Sequence, residues 1–302
     1  MKLFLKNILV FFILIALLLC LVEYSIRQLQ NSFKTKTEYL KTNANTVKTI
    51  VLGSSHTYYG VSPKFLESRT FNASNISQSP NIDLAILKTY ENAFDSLSTV
   101  VIRLSYDTLF EQLKDSPADW RLKDYKLYTD IQLDYNFTHN SEILAVGTRQ
   151  VLKVLKDYYI KNKPILNCDS LGWGNDLSLR PIVNLEKVGL SVAKRHTIKS
   201  WNLLEHNVKM FQEINAWCLS RNIRVILVTP PAYKSYSENL NINQLNEMIA
   251  VGKYLEKKYS NCTYYNFMSH SDFVNTDFYD PDHLNAKGAK KFSLIINSII
   301  EN

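Results

Sequence analysis

Cysteine is scarce in this chain. Apart from Cys20, which lies in an apolar run, only Cys168, Cys218 and Cys262 occur, too few and too scattered for a disulfide framework. The cysteines and histidines show no metal-ligand spacing, so neither a metal nor any other cofactor is expected. A basic run interleaved with aromatics is also missing. The formal net charge is +7, but the lysines are dispersed, which argues against a nucleic-acid partner and for a solvated surface near anionic lipid or an anionic glycan. There is no internal repeat and no low-complexity block.

Long apolar stretches are present in one place. Ile8 to Val22 is uninterrupted, and Leu3, Phe4 and Leu5 extend it to about the ~20 residues that a membrane-spanning helix requires. Lys2 and Lys6 precede the run, so the positive-inside tendency puts the amino terminus in the cytoplasm and the remainder outside, in the periplasm or at the cell surface; Lys34, Lys36 and Lys41 beyond it reduce the asymmetry. No small-x-small site follows, and Leu17-Leu-Leu19 precedes Cys20 where a lipoprotein would carry small residues. An uncleaved anchor over residues 1–22 is therefore expected rather than a signal peptide. Residues 23–46 are polar and read as a membrane-proximal helix fraying into a linker. Residues 47–302 are long enough for one large α/β domain.

The domain is organised around Thr49-Ile-Val-Leu-Gly-Ser-Ser-His56. Ile50, Val51 and Leu52 form a continuous apolar run, as in a parallel-sheet strand covered on both faces, and Gly53 ends it. Ser54 and Ser55 follow at the carboxyl end of the strand, where open α/β sheets place ligands. Both are candidate nucleophiles. A serine hydroxyl needs a base held by a third group. Near the other end of the chain, Asp280-Pro-Asp-His283 supplies one: the three-residue spacing lets Asp280 orient the His283 ring while its other nitrogen faces a serine. Asp282 is a rival carboxylate, although its place just before a helix suits a cap.

Strands are also expected at Thr99–Asp107, Ile223–Val228 and Thr263–Phe267. Helices are expected at Ile82–Phe94, Ser141–Ile160, Ser200–Arg221, Asn241–Tyr259 and Ala286–Ile300. Alternating strands and helices predict a three-layer α/β/α sandwich with a central parallel sheet, flavodoxin-like in plan. The prolines of Thr229-Pro-Pro-Ala-Tyr233 should make a rigid loop at a strand tip on the rim that holds Ser55. Residues 110–195 are irregular and aromatic, and read as an insertion capping the sheet. Trp173, between Gly172 and Gly174, is a candidate contact for a sugar ring.

The Gly-x-Ser turn after the first strand, with Asp-x-x-His before the last helix, resembles the SGNH (GDSL-like) hydrolase superfamily over roughly Lys48 to Ile300. The resemblance implies a nucleophile at Ser55, a base at His283 and an orienting acid at Asp280. It also implies oxyanion donors, which by position fall on the backbone N–H groups of Ser55 and of Ser74 or Ser77. Where the family has Gly-x-Asn-Asp this chain has Leu104-Ser-Tyr-Asp107, so Ser105 is the substitute candidate, and Asn72 is read as bracing the turn. His56 beside the nucleophile is expected in the wall of the site. Loss of the middle motifs resembles membrane-anchored SGNH-like proteins that accompany membrane-bound O-acyltransferases. That likeness implies hydrolysis or transfer of a small O-acyl group, acetyl for example, on a cell-envelope glycan, with a membrane-bound O-acyltransferase as a partner. A second reading is a non-catalytic glycan-binding or assembly partner of such an acyltransferase.

Overall fold

The computed structural model describes residues 1–179 and 183–302. Arg180, Pro181 and Ile182, within the segment read as an insertion, lie outside the described residues. Along the chain the main elements are α1 (Lys2–Gln28), α2 (Ser32–Asn43), β1 (Thr49–Leu52), α3 (Ser55–Gly60), β2 (Thr70–Asn72), α4 (Pro80–Thr89), β3 (Thr99–Arg103), α5 (Leu122–Tyr128), α6 (Glu142–Val146), α7 (Thr148–Tyr159) and α8 (Leu185–His196). They continue with α9 (Leu204–Leu219), β4 (Arg224–Thr229), α10 (Lys234–Ser237), α11 (Ile242–Lys258), β5 (Cys262–Asn266), β6 (Phe278–Asp280), β7 (His283–Leu284) and α12 (Ala286–Glu301). The chain divides into two units, Met1–Thr35 with Trp120–Asn167, and Lys36–Asp119 with Cys168–Asn302.

The first unit contains α1, which is long and apolar enough to cross a membrane. Its final turns are buried at Val22 and Ile26, which pack with Leu29 and with Val151 of α7. The single helix expected over 141–160 is two helices, because Gly147 adopts φ +82° between α6 and α7. A left-handed residue cannot continue a right-handed helix, and glycine enters that conformation at little cost.

The second unit is built on a five-stranded sheet in the order β2-β1-β3-β4-β5, parallel throughout. This is the flavodoxin-like order, and the α/β expectation is met. Strand β2 occupies residues read from sequence as the start of a polar loop; Phe71 is fully buried there and stacks on Tyr39, ring centroids 4.2 Å apart. Three residues are too short for a periodicity to show.

Alternation along the central strands sends side chains to two buried faces. Val51, Val101, Ile226 and Val228 pack with Phe292 and Ile296 of α12. Ile50, Leu52, Val100, Ile102, Val225 and Leu227, all fully buried, face the other way, where α9 lies against β4 and α4 against α9. The result is three layers with the strand tips of β1 and β3 opening on one edge. After β4, the Pro230-Pro231 loop braces the β6–β7 turn: the Tyr233 N–H donates to the Pro281 carbonyl at 2.8 Å.

Candidate active site

The turn after β1 is shaped by Gly53. Its φ is +115°, and a Cβ there would lie 2.6 Å from Cβ of Arg103, so only glycine fits. The Gly53 N–H donates to Asp83 Oδ1 at 2.9 Å. The Ser54 carbonyl accepts the N–H groups of Thr57 and Tyr58, which starts α3 at Ser55. The first N–H groups of a helix have no intrahelical acceptor, so those of Ser55 and His56 begin α3 at the wall of a cavity.

From the far end of the chain, β6 and β7 pair Asp280 with His283 across a tight turn. Asp280 Oδ1 accepts the N–H groups of Asp282 and His283 at 3.1 and 2.8 Å, which fixes its carboxylate. His283 Nδ1 lies 3.0 Å from Asp280 Oδ1 and 3.1 Å from Oδ2, and His283 Nε2 lies 2.8 Å from Ser55 Oγ. The structure thus brings together Ser55, His283 and Asp280, residues 228 positions apart at the serine–histidine step.

Ser55 and His283 line a cavity of about 440 Å³, together with His56, Ser77, Gln78, Arg103, Glu111, Asp282 and others. Most lining residues carry polar side chains, and the apolar ones are Pro80, Leu113, Pro117 and Ala118.

The remaining sequence candidates divide. Ser77 lines the cavity with φ +62°, an uncommon conformation for serine. His56 also lines it, as expected for a wall residue. Ser74 does not: it is fully buried, and its N–H donates to Asn72 Oδ1 at 3.0 Å. Asn72 braces the turn as read, donating to the carbonyls of Thr57 and Val61 at 2.9 and 2.8 Å. Ser105 is buried and does not line the cavity; its Oγ donates to Asp107 Oδ1, itself a lining residue, at 3.0 Å. Trp173 borders a separate narrow cleft with Tyr59 and Leu284, and its Nε1 donates to the Tyr59 carbonyl at 2.7 Å.

Several site residues escaped the sequence reading. Arg103 ends β3, almost fully buried, and its guanidinium donates to Ser54 Oγ and to the Asp107 carboxylate. The signal was a charged residue closing an otherwise apolar strand. Burial would raise Asp107, but Arg103, with His196 and His56, outweighs it and holds that carboxyl well below the usual range. Asp83 is pushed up to about 7 by burial, although Gln78, Gly53 and Arg103 oppose this. Glu111, raised by burial and by Asp107, also reaches about 7.

Asp282 does not cap α12, whose cap is Asn285, accepting from Lys287 and Gly288 at 2.9 and 3.1 Å. It is 2 % exposed and lies among three histidines. Its oxygens sit 3.6 Å from His56 Nε2, 3.8 Å from His196 Nδ1 and 3.5 Å from His283 Nδ1. Burial opposes charge on His283, but the carboxylates of Asp282 and Asp280 outweigh it and raise the imidazole to about 10. Burial and the Arg103 charge instead depress His56 to about 4, against the pull of Asp282. His56, Asp282 and His283 offer ligand atoms within 4.8 Å of one another, a donor set suited to zinc. As arranged, both His283 nitrogens are engaged by Asp280 and Ser55, so the set serves the imidazole.

No family model matches the chain, and no curated protein matches it. Among solved structures it is similar to a GDSL-like lipase from Bacteroides thetaiotaomicron, at 11% identity over 89% of this chain and 98% of that one, TM-score 0.41. It is also similar to a protein assigned as an acylhydrolase from Bacteroides fragilis, at 12% identity over 87% of this chain and 94% of that one, TM-score 0.40.

Proposed function

We propose that this chain is a serine esterase or O-acyltransferase of the SGNH type, held at a membrane by α1 with the Ser55 domain on the outer side. The observation that carries the reading is the continuous hydrogen-bonded path from Ser55 Oγ through His283 to Asp280 at the wall of a polar cavity. With His283 neutral, Ser55 Oγ attacks the ester carbonyl carbon while its proton passes to His283 Nε2. The C–O bond then breaks as the imidazolium returns that proton to the departing alkoxide, leaving an acyl-Ser55 ester. Water, or a sugar hydroxyl, loses its proton to His283 and attacks the acyl carbon; the bond from that carbon to Ser55 Oγ breaks as the imidazolium returns the proton to Oγ, restoring Ser55 and neutral His283. Asp280 keeps the imidazole in register throughout.

Negative charge on the carbonyl oxygen needs positioned donors. The Ser55 backbone N–H at the start of α3 is one, and the Ser77 loop, facing the same cavity, is where the second is assigned. Ser74 and Ser105, held by other partners, do not take that role. The small polar cavity suits a short acyl ester on a carbohydrate, and an outward-facing anchored domain meets such esters on cell-envelope glycans, with a membrane-bound O-acyltransferase as the partner that supplies or receives the acyl group.

Loss of the middle motifs favours a non-catalytic binding role, whereas the 2.8 Å approach of Ser55 Oγ to His283 Nε2 supports the catalytic reading. The test is intact-mass detection of a covalent adduct after treating the full-length chain in detergent with a fluorophosphonate. Labelling of the wild type that is lost in Ser55→Ala and His283→Ala supports the reading; equal labelling of Ser55→Ala, or none of the wild type, removes it.

A further inference from the structure

We propose that residues 137–163 form a second membrane contact, a foot that lies in the interface beside α1 and binds an anionic lipid leaflet. The inference rests on the reading of α1 as a membrane span and adds to it a surface and a lipid class.

The level of this segment is set by Glu23. The apolar stretch from Leu3 to Val22 is about the ~20 residues that cross a ~30 Å hydrocarbon layer, so Glu23 marks where water begins. Its carboxylate accepts Ser141 Oγ at 2.8 Å and the N–H groups of Glu142 and Ile143 at 2.9 and 3.0 Å. The amino-terminal turn of α6 is therefore fastened at the boundary. Arg27, paired with Glu23 at 2.7 Å, also donates to the Asn140 carbonyl at 2.6 Å. Val22, Ile26 and Leu29 then bury against Val151, with Val154 and Leu155 alongside. The α6–α7 pair is thus joined by polar and apolar contacts to the end of the span.

This arrangement leaves several large apolar side chains uncovered. Phe137 is 79% and Ile160 70% exposed, and Leu144, Leu152 and Tyr159 are also exposed. Single exposed apolar side chains are ordinary on a protein surface. Here they collect on a segment fixed to the boundary, and Leu152 and Tyr159, two turns apart, share one face of α7. The charges are equally one-sided: Arg149, Lys153, Lys156, Lys161 and Lys163 lie on α7 and its extension against the single acid Asp157, which pairs with Lys161 at 2.7 Å. An amphipathic helix with apolar side chains flanked by lysines is the pattern that lies along an anionic interface, the lysine stems extending to the headgroups.

The experiment uses the full-length chain with Cys20→Ser, reconstituted in vesicles of phosphatidylcholine alone or with phosphatidylglycerol. An environment-sensitive fluorophore is attached in turn at Phe12→Cys, Phe137→Cys, Ile160→Cys and Asn302→Cys, and quenching by lipids spin-labelled near the headgroup or deep in the chain is measured. The proposal expects deep quenching at position 12 and shallow quenching at 137 and 160, with blue-shifted emission that strengthens with phosphatidylglycerol and weakens in Lys153→Glu/Lys156→Glu. Position 302 should stay unquenched. Quenching at 12 with 137 and 160 behaving like 302 would overturn the foot and leave the anchor standing. Blue-shifted emission at 137 and 160 without lipid quenching would overturn it in favour of a protein partner. Absence of quenching at 12 itself would overturn the anchor and the foot together.

Discussion

The His56 imidazole lies over that of His283, ring centroids 4.7 Å apart and planes within 16°, and the two rings share the buried Asp282 carboxylate. The stacked ring is kept neutral by burial and by Arg103, while the ring that faces Ser55 is drawn toward its cation. Two like residues in contact are thus pushed to opposite protonation states by what surrounds them.

One expected outcome concerns pH. Catalysis needs neutral His283, whose raised value near 10 makes kcat/KM climb with pH on the alkaline side of neutrality. Asp282→Asn removes one of the carboxylates that hold the proton, so the limb should move to lower pH by roughly one unit or more. A pH–rate profile on an activated acetyl ester, wild type against variant, measures the shift. The same group contributes to stability with a defined sign: its folded-state value is raised, so its contribution is complete below its unfolded value near ~6.5 and is lost as pH rises toward 10.

Asp280→Asn and Ser55→Ala should differ in severity. Ser55→Ala should lose activity roughly a million-fold, as expected for the attacking group of a serine triad. Asp280→Asn leaves Asp282 3.5 Å from His283 Nδ1, and so should retain about a hundred times more activity than Ser55→Ala. Asp280→Asn/Asp282→Asn should fall to the level of the serine variant. Rates of cleavage of an activated acetyl ester, measured on all three variants, separate them.

Arg103 is a structural brace with a site function. Arg103→Met strands the Asp107 carboxylate, and breaking such a buried pair should cost about 3 kcal/mol in urea unfolding. Arg103→Met/Asp107→Asn should recover a good part of that stability but not activity, because Ser54 loses the guanidinium that orients it. A double variant with restored activity would show that Arg103 serves the fold alone.

Gly53→Ala should damage the site more than the fold. The positive φ costs on the order of 1–3 kcal/mol for any other residue, and the contact with Cβ of Arg103 forces the turn that carries Ser54 and Ser55 to move. Fluorophosphonate labelling should fall at least about tenfold while far-UV circular dichroism at room temperature keeps its native shape.

How far these features could be read in the sequence follows from the range of the forces involved. Apolar runs such as Ile50–Leu52 and Val225–Val228 state their own burial, since each residue in them is excluded from water whatever its neighbours are. Gly53 announces a turn, and the spacing of Asp280 and His283 puts a carboxylate within reach of a ring before any folding is considered. The likeness of Leu3–Val22 to a membrane span is equally local. The break at Gly147 was legible in principle, but the apolar periodicity on either side of it continues across the glycine and masks it.

The tertiary structure alone decided what the polar residues do. Asp282 looks like a helix cap beside its neighbours, and becomes the carboxylate shared by His56, His196 and His283 only when three distant segments close over it. Ser74, Ser77 and Ser105 are the same residue type in similar loops, yet only Ser77 reaches the cavity, because Asn72 and Asp107 take up the other two. A polar side chain has no preferred depth of its own. Its role depends on which partner satisfies it once water is excluded, and that partner is chosen by the packing of the whole chain.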